Sequence, residues 1–486
     1  MPRTGRKWVA FFAGLAAFAA LAWLDTPLAR SGEAGRPALA AGLTALMAIW
    51  WITEALPIHW SACVPLVVLP FSGIHGDGFG KNLRGALLPY TNPYIFLFLG
   101  GMGIAAAMQQ WNLHRRIALG VMRTVGTDPR RLLFGLLLAT ASVSLWISNT
   151  ATAAMMFPIG LAVIHEFERE TERRLAYYGA ALMLAIAYGA NVGGIGTKIG
   201  TVPSAQLAGF LAQHGTELSF LEFMAIGVPF VVLFLPVAWL ALWRLGRADA
   251  PGAEVGLAAL ARESARLGKM QRGERVVAAV FVAAAALWIL GKPITEALRA
   301  QGFEGLRGAH VEATVSLLAV TVLLAVRVQG QRALAPGRLR TLQWPVLVLL
   351  GGGFSLAAAI EASGLSQWIG AQLAALRESS GWVQILAASY TTVSISAFAS
   401  NTATVAVMLP VLASSVAAEY LDAVLFAAAF AASCDFALPA GTPPNAIVFG
   451  SGYVTIPMMV RTGVGLDAAA ALLAAVWCGL AVPLLL

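Results

Sequence analysis

Charge is what this chain has least of for its size. Only 12% of its 486 residues are charged, against roughly 25% in soluble globular proteins, which leaves too little polar surface for the chain to dissolve in water as a folded body. Cysteine is scarce as well. Cys63, Cys434 and Cys478 stand far apart in apolar segments, which excludes a disulfide framework and shows no metal-ligand spacing. No His-Glu-x-x-His pair, nucleophile elbow or P-loop occurs, and no stretch has the composition of a soluble signalling module. An intramembrane enzyme or a sensor is therefore disfavoured, and no prosthetic cofactor is expected. The net charge of +8 would suit a nucleic-acid partner, but the bases fall in short loops between apolar runs, as the positive-inside rule expects. They report topology, and no nucleic-acid partner is expected.

What is present is apolar: 59% of the residues are hydrophobic. Stretches of roughly 20 apolar residues, the length that crosses ~30 Å of hydrocarbon, recur from Trp8 to the C-terminus. The first of them, 8–24, follows Arg3, Arg6 and Lys7 and so has the basic start and apolar middle of a signal peptide. It runs into Trp23, Leu24 and Asp25 with no small-x-small cleavage site, and many spans follow; it reads as a retained first helix.

An internal repeat is visible. Gly100-Gly101, Ala105-Ala106-Ala107-Met108 and Leu113 recur 252 positions on as Gly352-Gly353, Ala357-Ala358-Ala359-Ile360 and Leu365. At the same offset Ser148-Asn149-Thr150-Ala151-Thr152 recurs identically as Ser400-Asn401-Thr402-Ala403-Thr404, followed by Met156 and Pro158 against Met408 and Pro410. A third match, Gly200-Thr201-x-Pro203 against Gly441-Thr442-x-Pro444, comes at an offset of 241, a longer charged loop at 166–174 making the difference.

Charge then orients the halves. The first Ser-Asn-Thr segment is flanked by Arg115, Arg116, Arg123, Arg130 and Arg131 on one side and by Arg169, Arg173 and Arg174 on the other, so both flanks are expected in the cytoplasm. Around the second, residues 366–382 hold only Arg377 and 419–422 hold no base, so both flanks are expected outside. An apolar segment whose two ends lie on one side is a re-entrant hairpin, whose irregular tip is tolerated where it lines an enclosed cavity. The basic stretches 244–275 and 327–340 fit the cytoplasm; Arg30 and Arg36, placed outside, are the exceptions. The chain thus reads as an all-α polytopic membrane protein with two inverted repeats, about eleven transmembrane helices and two re-entrant hairpins, the architecture of many secondary transporters. Residues 1–92 hold the N-terminal helices and 93–243 the first repeat, with a hairpin at about 130–165 and a broken helix at about 175–211. Cytoplasmic loops and linking helices occupy 244–341. The second repeat, 342–486, has its hairpin at about 382–418 and its broken helix at about 423–452.

Two segment types carry chemistry. A Ser-Asn-Thr triplet inside a membrane is costly unless its hydroxyls and amide find partners, and two copies at symmetric positions point to a shared site rather than to helix packing. A hairpin tip also exposes helix-end N–H groups that favour an anion, and a carboxylate fits there. The second type is rich in glycine and proline: residues 193–203 in one half and Leu438-Pro439-Ala440-Gly441-Thr442-Pro443-Pro444-Asn445 in the other. Each should unwind a span near the midplane, freeing carbonyls for a cation while half-helix N-termini face the substrate.

These motifs, with Ala446-Ile447-Val448-Phe449-Gly450-Ser451-Gly452 and the early Ile52-Thr53-Glu54-Ala55-Leu56-Pro57, resemble the divalent anion/sodium symporter family, bacterial relatives of the sodium-dependent dicarboxylate and citrate transporters. The resemblance runs from about Thr53 to the C-terminus. It implies a homodimer in the bacterial inner membrane, with a scaffold that includes 1–92 and a transport domain holding both hairpins and both broken helices and moving as an elevator. It implies a first sodium site from Ser144, Ser148, Asn149 and the backbone of Gly200, and a second from Ser396, Asn401, Gly441, Thr442 and Pro443. Substrate carboxylates would meet Asn149, Thr150, Asn401 and Thr402, with Thr201 and Thr442 nearby.

The expected function is secondary active transport of small divalent anions, C4-dicarboxylates such as succinate or malate with citrate as a further candidate, coupled to sodium, with the N-terminus in the cytoplasm. The alternative is a sodium-independent exchanger, a proton-coupled carrier, or a transporter of sulfate or another oxyanion. Two features set this chain apart. Its first half reads Thr201-Val202-Pro203-Ser204 where the second keeps Thr-Pro-Pro-Asn, and Lys198 lies in the same loop, read either as a base that snorkels to the interface or as a fixed charge replacing a sodium ion. Asp435, six residues before Gly441, is read as a possible coupling residue on an ion pathway or as a structural hydrogen-bonding group.

Overall fold

A computed structural model of the chain describes residues 3–23, 35–126, 128–252, 265 and 267–486. Arg30, expected outside, and Arg262 in the basic 244–275 stretch lie outside the described residues. The structure is nearly all helix. The principal helices are α1 (Arg3–Trp23), α2 (Arg36–Thr53), α3 (Pro93–Gln110), α4 (Leu113–Val125), α5 (Pro129–Ser144), α6 (Asn149–Thr171), α7 (Ala176–Gly193), α8 (Val202–Gln213) and α9 (Phe220–Gly246). They continue with α10 (Arg272–Ile289), α11 (Gly291–Ala300), α12 (Gly308–Ala325), α13 (Trp344–Ala362), α14 (Gly381–Ser396), α15 (Asn401–Ser415), α16 (Leu421–Ser433), α17 (Pro443–Phe449) and α18 (Ile456–Leu485). One short antiparallel ribbon, Arg327–Val328 with Gln331–Arg332, interrupts the pattern.

Among the described residues, eight helical stretches are long and apolar enough to cross a bilayer, nine if α10 and α11, bent by 64° at Leu290, count as one span. The chain is a multi-pass membrane protein. Eleven was the number expected from composition. The eight include α6, an arm of the first hairpin, and leave out four expected spans: 7–23 and 58–71 form shorter apolar helices, α16 and α17, separated by an unwound stretch, are each too short, and α10 qualifies only together with α11. Arg36, the described base that charge placed outside, sits 3.6 Å from the carboxylate of Asp77.

The centre of the fold follows from composition. Helix α7 is nearly all Ala, Gly, Leu and Tyr, with no polar stripe, and every residue from Tyr178 to Gly193 is buried. Helix α16, mostly Ala and Phe, is likewise buried from Ala423 to Ser433. A helix apolar all round belongs in an interior. The hairpin arms α5, α6, α14 and α15 and the long helices α9 and α18 surround these two. The halves interlock where Tyr188 on α7 donates to Phe436 O at 3.0 Å. A separate apolar cluster joins Leu43, Met47 and Trp51 of α2 to Leu356 and Ile360 of α13 and Ala403 and Ala406 of α15.

Helix starts punctuate the chain where the sequence places Ser, Thr, Asp and Pro. Asp128 caps α5 by accepting from Arg130 N, with Pro129 at the first turn, and Ser219 and Glu222 form a reciprocal capping box on α9. Each hairpin turns over within a few residues, Leu145 to Ser148 and Ala397 to Ser400.

Candidate substrate and cation site

The repeat seen in the sequence is a repeat of backbone geometry. Ser148 and Ser400 precede their helices with φ −52°, ψ 143° and φ −62°, ψ 130°. Thr201 and Thr442 do so with φ −138°, ψ 154° and φ −135°, ψ 149°. All four turns meet at one cavity of about 210 Å³, lined by Ser148, Asn149 and Thr150, by Ser400, Asn401 and Thr402, and by Gly200–Pro203 and Gly441–Pro444. Ile58, Val346 and Leu349 supply apolar wall, and Asn191 and Gln343 add two amides.

Helices α6, α8, α15 and α17 all begin at this cavity. The first three are long enough for aligned peptide dipoles to leave partial positive charge at their starts, where N–H groups lack intrahelical partners. No lysine, arginine or carboxylate lines the space among the described residues. The lining therefore offers hydroxyls, amides and helix ends to an anion.

Behind the cavity wall, each Ser-Asn pair is built into the neighbouring broken helix in the same way. Ser144 Oγ donates to Ala190 O at 2.7 Å. The Asn149 amide, with its nitrogen toward the carbonyls, donates to Ala190 O at 3.0 Å, Gly200 O at 3.3 Å and Ser144 Oγ at 3.0 Å. In the second half Ser396 Oγ lies 2.9 Å from Ala432 O and 3.0 Å from Asn401 Oδ1, its single hydroxyl hydrogen shared between them. Of the expected site residues, Ser144 and Ser396 lie buried behind the cavity at the ends of α5 and α14, Lys198 and Asp435 do not line it, and the others do. Hydroxyl, amide and carbonyl oxygens at unwound helices are the donor set that transporters offer to sodium.

The two unwound loops are held differently, which accounts for the divergent first-half sequence. In the second half Asn445 Nδ2 donates to Asp435 O at 3.1 Å and Leu438 O at 3.0 Å. In the first half Thr197 takes over: its hydroxyl donates to Leu145 O and accepts from Gly200 N at 3.1 Å, tying the loop to the hairpin tip without an asparagine at 204. Asn191 bridges the halves, its Nδ2 donating to Asp435 O at 3.2 Å and Thr442 Oγ1 at 3.1 Å. Sequence reading missed Asn191 and Gln343. The signal for Asn191 was there, a lone amide in an otherwise apolar helix; Gln343, in a loop, carried none.

Both readings of Lys198 are corrected. It is neither interfacial nor beside the cavity, because its ammonium is 0% exposed. All three N–H donors are engaged, by Leu218 O at 2.6 Å and by Glu312 Oε1 and Oε2 at 3.0 and 2.9 Å. Glu312, on α12, is 1% exposed, and the ring of Tyr94 lies 5.3 Å from the ammonium. The Gly-rich loop carries the base, but its charge is spent on a partner 114 residues away.

Comparison with known proteins adds the following. A family model described as the sodium:sulfate symporter transmembrane region matches residues 6–483. A sodium-dependent dicarboxylate transporter, SdcS, of Staphylococcus saprophyticus is 37% identical over 431 residues, covering 87% of this chain and 81% of that protein. SdcS of Staphylococcus aureus is 36% identical over the same shares. Among solved structures, the YdaH transporter of Alcanivorax borkumensis, described as having an unusual topology, aligns with a TM-score of 0.57 at 16% identity over 91% of this chain and 98% of its own. MtrF of Neisseria gonorrhoeae, placed in a class of antimetabolite efflux pumps, aligns with a TM-score of 0.58 at 14% identity over 84% and 85%. At such identities the structural likeness speaks for the fold alone.

Proposed function

The chain belongs to the sodium:sulfate symporter family, and from that premise we propose that it is a secondary active transporter of small divalent anions, C4-dicarboxylates such as succinate and malate, coupled to sodium. The observation that carries this reading is the convergence of both Ser-Asn-Thr turns and both Gly-Thr-Pro turns on one cavity without a fixed charge. A dicarboxylate has two anionic ends, and the cavity offers two equivalent sets of donors, Asn149 and Thr150 from one half and Asn401 and Thr402 from the other, with Thr201 and Thr442 beside them. Neutral donors and helix ends hold a dianion firmly enough to bind and loosely enough to release, since no buried arginine must be left unpaired when it leaves.

Sodium supplies the missing positive charge in this scheme. The first ion would sit among Ser144, Ser148, Asn149 and Gly200, the second among Ser396, Asn401, Gly441, Thr442 and Pro443. The names of the staphylococcal relatives support both the sodium and the dicarboxylate. Both hairpins and both broken helices share one packed core, which supports a transport domain that moves as a unit against a scaffold including 1–92. The family resemblance further supports a homodimer in a bacterial inner membrane with its N-terminus in the cytoplasm.

The test is uptake of labelled succinate, citrate and sulfate into proteoliposomes, with an imposed gradient of sodium or of choline. Succinate uptake that requires sodium and is competed by malate is expected. Uptake of sulfate in preference to succinate, or succinate uptake indifferent to sodium, would overturn the reading.

A further inference from the structure

Asp435 is fully buried, and neither carboxylate oxygen accepts a hydrogen bond from any described residue. The donors around it are committed elsewhere. Asn191 Nδ2 and Asn445 Nδ2 bond its main-chain oxygen, and Tyr188 donates to Phe436 O. The neighbouring acid, Asp467 on α18, accepts from Phe436 N at 2.8 Å and so has a partner that Asp435 lacks. A second buried acceptor beside this stretch, Asn191 Oδ1, is also without a donor. A bare carboxylate in such surroundings is strongly disfavoured unless a cation or a proton neutralises it.

The internal repeat shows where that charge would lie. Asp435 stands 241 positions after Gly194, the offset that relates Gly200 to Gly441. In the first half a Cβ on Gly194 would fall on the Asn149 amide and close to Gly200 O, and Gly200 in turn packs on Gly194. In the second half a Cβ on Gly441 would fall on the Asp435 carboxylate itself. The side chain missing at Gly194 is therefore present at Asp435, where it packs against Gly441 of the unwound loop. We propose that Asp435 is an anionic ligand for a monovalent cation held at the Gly441 loop, so that the second-half cation site is charged while the first-half site is neutral. The inference rests on the sodium-coupled reading above and names one ligand within it.

The asymmetry has a consequence for coupling. With sodium bound, the Gly441 loop is neutral and can move through a low-dielectric surround; without it, the same loop carries a bare charge that resists the movement. Movement of the anion without its cation is then held back by Asp435, and the return of the empty carrier is slowed in the same way.

The test uses the full-length protein in lipid nanodiscs, freed of sodium and titrated with sodium chloride against choline chloride at constant ionic strength, with thermal melting as the readout. Wild type should gain stability with sodium, and Asp435→Asn should need at least about tenfold more sodium for half the effect, the scale on which metal sites respond to loss of a supporting group. A sodium response identical in wild type and Asp435→Asn overturns the ligand role and leaves sodium coupling standing. No sodium response in wild type, in melting or in succinate uptake, overturns the sodium-coupled reading itself. Should Asp435→Asn fail to fold, wild type alone decides: an apolar carbodiimide should modify Asp435 in choline, and sodium should slow that modification, as read by peptide mass. Modification unchanged by sodium, or absent in both buffers, overturns the proposal.

Discussion

Single residues here act through what their buried polar atoms can reach. Asn149 and Asn401 each join a hairpin tip to the serine five residues earlier and line the cavity. A hydrogen bond to a charged partner is worth roughly 1.5–3 kcal/mol, so Asn149→Ala and Asn401→Ala should each weaken half-saturation for succinate by roughly 10- to 100-fold. Uptake kinetics with matched expression check this, and unchanged kinetics in either variant would assign that asparagine to packing. Lys198 and Glu312 make the opposite case, a pair whose value lies in being intact. Removing one partner of a buried ion pair strands the other at about 3–5 kcal/mol, whereas replacing both with apolar side chains is often neutral. Lys198→Met and Glu312→Leu should each lower the melting temperature clearly, and the double variant should recover most of the loss; equal melting of all four proteins would show that the pair contributes nothing.

At the scale of elements, the two halves reach the same geometry by different side chains. The second unwound loop hangs on Asn445 and the first on Thr197. Thr197→Val, which keeps the shape and removes the hydroxyl, should cost about 1–3 kcal/mol through the unsatisfied carbonyl and amide it leaves. Ser204→Ala should cost less than about 0.5 kcal/mol, because a smaller apolar group at a position that does not hold the loop creates only a minor change. Melting and succinate uptake measured side by side separate the two, and the reverse ranking would mean that Ser204 has inherited the role of Asn445. Helix starts are a local matter, since Ser, Thr, Asp and Pro stand at them. The number of spans was less so: a helix broken by glycine or proline keeps its apolar composition while losing its length, and composition alone cannot tell the two apart.

At the scale of the whole molecule, the inverted arrangement makes a prediction about sides. Arg173 and Ser380 are both exposed and flank the two hairpins. With Cys63, Cys434 and Cys478 replaced, single cysteines at these positions should react with an impermeant thiol reagent from opposite faces of the membrane, Arg173→Cys from the cytoplasm and Ser380→Cys from outside. Labelling from one face would overturn the inversion. Membrane embedding, the two-fold repeat and the polar turns that meet at the cavity were legible in the chain itself, because hydropathy, glycine, proline and Ser-Asn-Thr triplets act over a few neighbouring positions and recur at a measurable offset. Tertiary structure alone decided what the charges do. Lys198 finds Glu312 across 114 residues, and the Asp435 carboxylate finds no donor among the described residues although Asn191 and Asn445 touch its backbone. The free energy of a buried charge depends on groups within a few ångströms in space, and no local pattern in the chain encodes which distant helix will bring them there.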